Sequence, residues 1–336
     1  MAAVIAIGTA SAQKREIIHT WYVQGMAEEQ YNTHNGHWNL TTWLDYGLEL
    51  NLWKGARLQA AGLSTYMQRD EGYVNSGELT FSGIDAPSRW FRLHCLSLSQ
   101  QVGPVTLTAG VRNMTTDYFT DDEVNFFTGS PHSYSPVIAS NYDLPMIPTA
   151  GLAAQLSVDI TRHWLFTTTF YNGRSGDRVE DVFRLRDGVS NVSAVNYHSD
   201  PRTFEVGATT ARDLRGRHGT SLYSYYIERL PCGLTLVGEG GYNLGDRTTH
   251  ADEPDTHLCK IYGGVGGIYS FNDANQLGLL LNTASYTGHY RDTQLELNYR
   301  HCFGPLSVQP VLILDNNSDE PTQAIALLRL SLEFGQ

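Results

Sequence analysis

Trp38-Asn39-Leu40-Thr41-Thr42-Trp43-Leu44-Asp45-Tyr46-Gly47-Leu48-Glu49-Leu50-Asn51-Leu52-Trp53 is the stretch that decides the fold. Its even positions hold Trp38, Leu40, Thr42, Leu44, Tyr46, Leu48, Leu50 and Leu52. Its odd positions hold Asn39, Thr41, Trp43, Asp45, Gly47, Glu49, Asn51 and Trp53. Side chains alternate across a strand, so this pattern predicts one apolar and one polar face. Soluble strands usually run to about 5–6 residues. A strand of about 16 suits a tilted segment that crosses a bilayer and projects beyond it.

The pattern recurs outward from this stretch. Val105, Leu107, Ala109 and Val111 alternate with Thr106, Thr108, Gly110 and Arg112. Leu152, Ala154, Leu156, Val158 and Ile160 alternate with Gly151, Ala153, Gln155, Ser157 and Asp159. Leu295, Leu297 and Tyr299 alternate with Glu296, Asn298 and Arg300, and Leu328, Leu330, Leu332 and Phe334 with Arg329, Ser331 and Glu333. A polar or charged group is expected to face inward in each.

The connections fall into two classes. Short ones are Lys54-Gly55, Gln100 to Pro104, Thr161-Arg162-His163, His198 to Arg202, Pro231-Cys232-Gly233, Phe271 to Asn275 and Phe303-Gly304-Pro305. Mostly longer ones fall at 25–37, 67–89, 114–148, 173–188, 213–218, 244–257, 288–291 and 315–323. Bacterial membrane barrels have short turns at one rim and longer loops at the other. Eight loops and seven turns close an all-β, transmembrane antiparallel β-barrel of sixteen strands, with a first strand at 17–24 and an eighth at 189–197. A soluble β-sandwich or solenoid would alternate too. The consistently polar second face and the two turn classes favour the barrel.

Composition agrees. Apolar residues make up 41%, yet no run approaches the roughly 18–20 apolar residues of a membrane-spanning helix. Nineteen Tyr and six Trp would supply aromatic girdles at the two membrane interfaces. The net charge of -12, without a basic cluster, speaks against nucleic acid as a partner. Residues 1–12 resemble an apolar export segment ending in Ala10-Ser11-Ala12, which predicts a mature chain from near Gln13 and a single barrel domain over 13–336. Cys95, Cys232, Cys259 and Cys302 have no metal-like spacing and no legible pairing.

The longest loop, from Met114 to Thr149, holds Asp117, Tyr118, Phe119, Asp121, Asp122, Glu123, Phe126, Phe127 and Tyr134, and leaves through Pro145 and Pro148. It is too aromatic for a disordered segment. We expect it to fold into the lumen and narrow the passage; a cap packed on its own aromatics is the alternative.

The order Gly110-Val111-Arg112, Asp117-Tyr118-Phe119, Asn125-Phe126-Phe127, Pro145 to Pro148 with Gly151, Trp164 to Phe170 and Tyr171-Asn172-Gly173 resembles the carbohydrate-selective porins of the bacterial outer membrane. The closing Leu328-Arg329-Leu330-Ser331-Leu332-Glu333-Phe334 is similar to that family's last strand, although the chain continues to Gln336. The resemblance covers about 43–173 and the C-terminal end. It implies a channel of sixteen strands for monosaccharides or oligosaccharides, surrounded by outer-membrane lipids and assembled as a homotrimer.

The residues fit that implication physically. Sugar rings stack on aromatic faces, and their hydroxyls bond charged and amide groups. The inward positions offer Asp45, Glu49, Arg57, Arg92, Arg112, Glu296, Arg300 and Arg329, and the long loop adds Asp117, Tyr118 and Glu123. Mixed signs suit neutral polar solutes, whereas a ring of one sign would select ions. Each of these residues could equally brace the wall; Arg112, leading directly into the loop, is the foremost solute-contact candidate. A hydrophobic-solute transporter or a capsule-binding, lectin-like barrel are the other roles this architecture allows. No cofactor or metal is expected: His34 with His37, and His250 with His257, lack completing ligands. His94 with Ser97, or His289 with Ser285, could be cited for a lipid hydrolase, but a nucleophile also needs an oriented base and an oxyanion site, and we read the chain as non-enzymatic.

Overall fold

The computed structural model describes residues 19–70, 72–75, 77–129, 135–172, 176, 178–183, 188–212, 218–245 and 257–335. The export segment expected at 1–12, Tyr134 and His250 lie outside the described residues. The described chain forms β1 (His19–Asn32), β2 (Trp38–Trp53), β3 (Ala56–Met67), β4 (Arg89–Val102), β5 (Val105–Arg112), β6 (Gly151–Asp159), β7 (Trp164–Asn172) and β8 (Val189–His198). It continues through β9 (Arg202–Arg212), β10 (His218–Arg229), β11 (Leu234–Asn243), β12 (Cys259–Asn272), β13 (Asn275–Tyr286), β14 (Arg291–Phe303), β15 (Leu306–Asn317) and β16 (Gln323–Gly335). Each strand pairs antiparallel with its sequence neighbours, and β1 pairs with β16 to close the barrel.

The strands are two-faced because their sequences are. On β13, Leu277, Leu279 and Leu281 are exposed outside while Leu280, Asn282 and Ala284 are buried inside. Dozens of Leu, Val, Ile and aromatic side chains stand on the outer surface this way. That is untenable against water and is what hydrocarbon requires. Aromatics gather at both rims. Near the short turns, Trp164, Tyr197 and Phe204 pack with ring centroids 5.0–5.5 Å apart, and Tyr269 meets Phe271 at 4.9 Å. Near the long loops stand Tyr31, Trp38, Tyr66, Trp90, Phe170 and Tyr242.

Two boundaries differ from expectation: β15 runs on to Asn317, so Asp315 is strand rather than part of a loop at 315–323, and the first strand is longer. The first strand runs to Asn32, not to 24, so the first loop is only 33–37. Its acidic stretch looks like a loop, but Glu28 and Gln30 point inward and are fully buried, Glu28 against Arg329 and Gln30 against Asp85.

The interior is not an empty tube. The described parts of the β5–β6 loop (113–129 and 135–150) turn inward, where Met114, Tyr118, Phe119, Val124, Val137, Ile138 and Tyr142 pack against inward side chains of β6 to β13. On β8 to β10 those inward positions are Val192, Ala194, Ala211, Tyr223, Tyr225 and Ile227, so the polar-inside rule fails there. The loop covers them, which is why β8 alternates weakly in sequence. A four-residue helix, α1 (Pro136–Ala139), seats Val137 against Gly241, where an added Cβ would lie 2.5 Å from it. The β3–β4 loop (68–88), expected as an ordinary outer loop, also enters the barrel. Its Val74 and Phe81 are buried against Val311, Ile313, Ile325 and Leu327, and its Ile84 and Ala86 against Trp43 and Leu63. A second short helix, α2 (Val179–Val182), buries Val182 against Val111 and Ala150.

Candidate functional site

Along the inner wall of β2 to β6 lies a cavity of about 560 Å³. Asn51, Trp53, Arg57, Gln59, Ser99, Gln101, Thr106, Thr108, Arg112 and Gln155 line it. The alternation of β2 to β6 supplies these polar groups, and several satisfy one another across strands: Ser99 Oγ to Thr108 Oγ1 at 2.8 Å, and Gln155 Nε2 to Thr169 Oγ1 at 3.0 Å. Arg57 Nε lies 3.0 Å from Glu49 Oε1, and Gln59 Nε2 donates to Glu49 Oε2 at 2.9 Å. The Arg57 side chain is 54% exposed, so this pair is water-facing and contributes little stability.

Above this cavity Arg112 roots the β5–β6 loop. Its Nε donates to Asp117 Oδ1 at 2.7 Å and its Nη2 to the same oxygen; its Nη1 donates to Ser97 Oγ at 2.9 Å and to Gln59 Oε1 at 3.1 Å. Asp117 Oδ2 accepts the Tyr171 hydroxyl at 2.7 Å, and its side chain has no exposed surface. The Tyr118 hydroxyl donates to Val192 O at 2.9 Å, also buried. Arg112 therefore keeps only an edge on the cavity.

A β-bulge brings an unexpected histidine inside. Ala61 pairs with Cys95 and Gly62 with Leu93, so His94 is the extra residue, and the polar order of β4 slips locally. His94 Nε2 lies 2.9 Å from Asp45 Oδ1, which also accepts the Tyr22 hydroxyl at 3.0 Å; His94 Nδ1 lies 3.1 Å from Asn113 Nδ2. Both ring nitrogens are thus engaged away from Ser97, whose oxygen faces Arg112. The Ser–His pairing considered from sequence is not assembled at this position.

The loop tip carries the acidic run Asp121, Asp122 and Glu123. Glu123 is bound by Arg229, and Asp121 Oδ2 accepts the Tyr225 hydroxyl at 2.7 Å. Burial against the wall pushes the Asp121 carboxyl above the usual range, a shift opposed by Tyr225 and Arg229. Phe119 adopts φ 59°, costly for a bulky residue, and is held by packing against Tyr223 and Tyr225 at 4.8 and 5.9 Å. Farther along, Phe126 sits over Gly278, where an added Cβ would lie 2.4 Å from its ring. The Arg300 guanidinium covers the same ring at 4.7 Å and bonds Gln276 Oε1 through Nε at 3.0 Å.

The remaining candidates hold the loops to the wall. Glu296 Oε1 accepts the Thr128 amide at 2.9 Å. Arg329 Nη2 donates to Thr128 O of the loop at 3.4 Å, while its Nε donates to Glu28 Oε1 of β1 at 2.5 Å. Arg92 donates to Thr65 Oγ1 at 2.5 Å and Pro87 O at 2.8 Å. Glu49 and Arg57 face open lumen, and Asp45 and Glu123 do so in part. Arg112 and Arg300 sit at the boundary, while Asp117, Tyr118, Arg92, Glu296 and Arg329 are enclosed. Sequence reasoning missed Glu28 (read as loop), His94 as a lumen group (hidden by the bulge), and Tyr225 with Arg229, whose alternation on β10 was the one available signal.

No protein-family profile matches the chain, and no curated protein does. Solved structures do. OprB of Pseudomonas putida, in its high-pH structure, aligns with a TM-score of 0.77 at 13% identity over 94% of this chain and 93% of that one. A mutant porin of Rhodopseudomonas blastica aligns at 0.55 and 10% identity over 94% and 100%. The outer membrane protein opdK of Pseudomonas aeruginosa aligns at 0.55 and 10% identity over 95% and 99%. The fold is therefore that of outer-membrane porins.

Proposed function

We propose that this chain is a bacterial outer-membrane porin through which small polar solutes, sugars among them, diffuse. The observation that carries the reading is the pairing of an apolar outer wall with a polar-lined cavity of about 560 Å³ inside a closed barrel. The cavity offers neutral amides and hydroxyls, Trp53 as a ring surface, and the exposed Arg57–Glu49 pair. This mixture suits a hydroxyl-rich neutral solute, which bonds donors and acceptors alike. Trimeric assembly is part of the proposal. It is supported by Thr168, Asn191 and Ser193 on the outer wall, which bond one another at 2.8–3.0 Å; a wall stretch of this polarity suits cover by a neighbouring subunit better than lipid.

Reconstituted protein should conduct ions and let liposomes swell in mono- and disaccharides, and an added sugar that binds the lumen should block single-channel current. A sealed lumen, with neither conductance nor swelling, would sink the proposal. Sugar binding without conductance would point to a capsule-binding barrel.

A further inference from the structure

At the outer mouth, on the side away from the cavity, two buried carboxyl groups face each other without a counter-ion. Asp292 on β14 and Asp315 on β15 are both fully buried. In the register Asp292 lies opposite Asn317 and Gln294 opposite Asp315, so the two aspartates are diagonal neighbours on the inner face. Both Oδ2 atoms converge on Gly77 of the β3–β4 loop: a Cβ added there would lie 2.9 Å from one and 3.1 Å from the other. The Oδ1 atom of each has no hydrogen-bond partner among the described residues. No Lys, Arg or His makes an ion pair with either among the described residues.

The same place anchors the loop. The Leu79 amide donates to Asp292 Oδ2 at 2.8 Å, and Gln294 Nε2 donates to Leu79 O at 2.5 Å. Beside it, Asn32 Nδ2 donates to Val74 O at 2.7 Å. The titratable groups around the pair are Glu78 on the loop with His257 before β12, Tyr286 at the end of β13, Tyr290 in the β13–β14 turn and Glu320 after β15. The outward residues at this height are Ser285, Arg291, Thr293 and Asn316, which places the strand ends above the hydrocarbon.

We propose that Asp292 and Asp315 share one proton and so form a pH-sensitive latch that holds the β3–β4 loop inside the barrel mouth. Two ionised carboxylates this close, buried and without a cation, repel strongly. A shared proton removes one charge and bridges them. The donors of the Leu79 amide and of Asn317 Nδ2 suit the single remaining negative charge and are unsuited to a metal ion. Loss of the shared proton leaves two like charges under Gly77, and lifting the loop admits the water that relieves them. The docked state binds the proton more tightly than the undocked one. Docking is therefore favoured at low pH and weakens as pH rises.

Hydrogen–deuterium exchange on the whole chain in nanodiscs tests this without requiring transport. Corrected for intrinsic exchange, protection of amides in 72–86 should fall by up to about tenfold per pH unit, the limit for one linked proton, at the upper end of a pH 6–10 series. Asp292→Asn keeps one negative charge and a donor, so its protection should be flat with pH. Asp315→Asn is the second variant should the first fail to fold, judged by heat-modified gel mobility. Flat protection in the unsubstituted protein, or an unchanged pH response in a folded Asn variant, overturns the latch. Exposure of the loop by a chelator at neutral pH, reversed by calcium, would assign the pair to a metal and also overturn it.

Discussion

Arg229 and Glu123, 106 positions apart in the chain, meet through two hydrogen bonds, Nε to Oε1 at 2.5 Å and Nη2 to Oε2 at 2.9 Å. Arg229 ends β10 at the short-turn rim, so the pair fixes how deep the acidic tip of the β5–β6 loop hangs in the lumen. Asp121 adds a weaker contact at 3.8 Å. Forked guanidinium–carboxylate pairing fixes orientation as well as distance.

Arg229→Gln and Glu123→Gln should each loosen that tip. The expected result is higher open-channel noise and larger conductance with the barrel intact, and a coupling of about 1 kcal/mol in a double-mutant cycle, since both groups are partly solvated. Planar-bilayer recording and thermal melting check the two halves.

Phe126→Ala removes a ring that is buried over Gly278 and beneath Arg300. Burial of this kind is worth about 3–4 kcal/mol. Protease nicking of the loop and conductance should both rise. Gly278→Leu should act the same way, because its side chain would occupy the place of the ring. Unchanged nicking in both variants would mean that the ring does not hold the loop.

Asp121 should give the channel a pH-dependent ion preference. Burial raises its carboxyl above the usual range, so it takes up a proton at a higher pH than a free aspartate. Loop docking gains from this group at low pH and loses as pH rises through the raised value. Cation preference, read from reversal potentials in a salt gradient, should fall on acidification with a midpoint above that of free aspartate. Asp121→Asn should remove that step.

Trp53→Ala and Arg57→Gln should weaken sugar block without closing the channel, because both side chains line the cavity and Arg57 is largely solvated. Loss of one stacking surface or one charged hydrogen bond is worth about 1 kcal/mol, roughly a fivefold weaker block. Arg112→Gln differs: it unties Asp117, and its main effect should be on loop order.

Gly110→Ala should destabilise the wall itself. Gly110 adopts φ +144°, and a Cβ there would lie 2.2 Å from Leu96 O and 2.6 Å from Ser97 Cα. The clash is with backbone, so strands must shift, at a cost of about 2 kcal/mol or more. Urea unfolding in lipid vesicles should show a lower midpoint.

The chain by itself determined the wall. Alternation is local, so Trp38 to Trp53 declares its two faces without reference to any other strand, and the turn residues mark where each strand reverses. Those signals were enough for sixteen strands, their order and the inward direction of Asp45, Glu49, Arg57, Arg112, Glu296, Arg300 and Arg329. Alternation states which way a side chain points but not what covers it. Only the tertiary structure decided that two loops fold inside, so that Glu296 and Arg329 became anchors for them while Arg57 and Glu49 kept water. It also decided that Glu28 is strand, that His94 turns inward at a bulge, and that Asp292 meets Asp315 beneath Gly77. These are meetings between distant segments, set by how loops fill the closed barrel, and no short-range period records them.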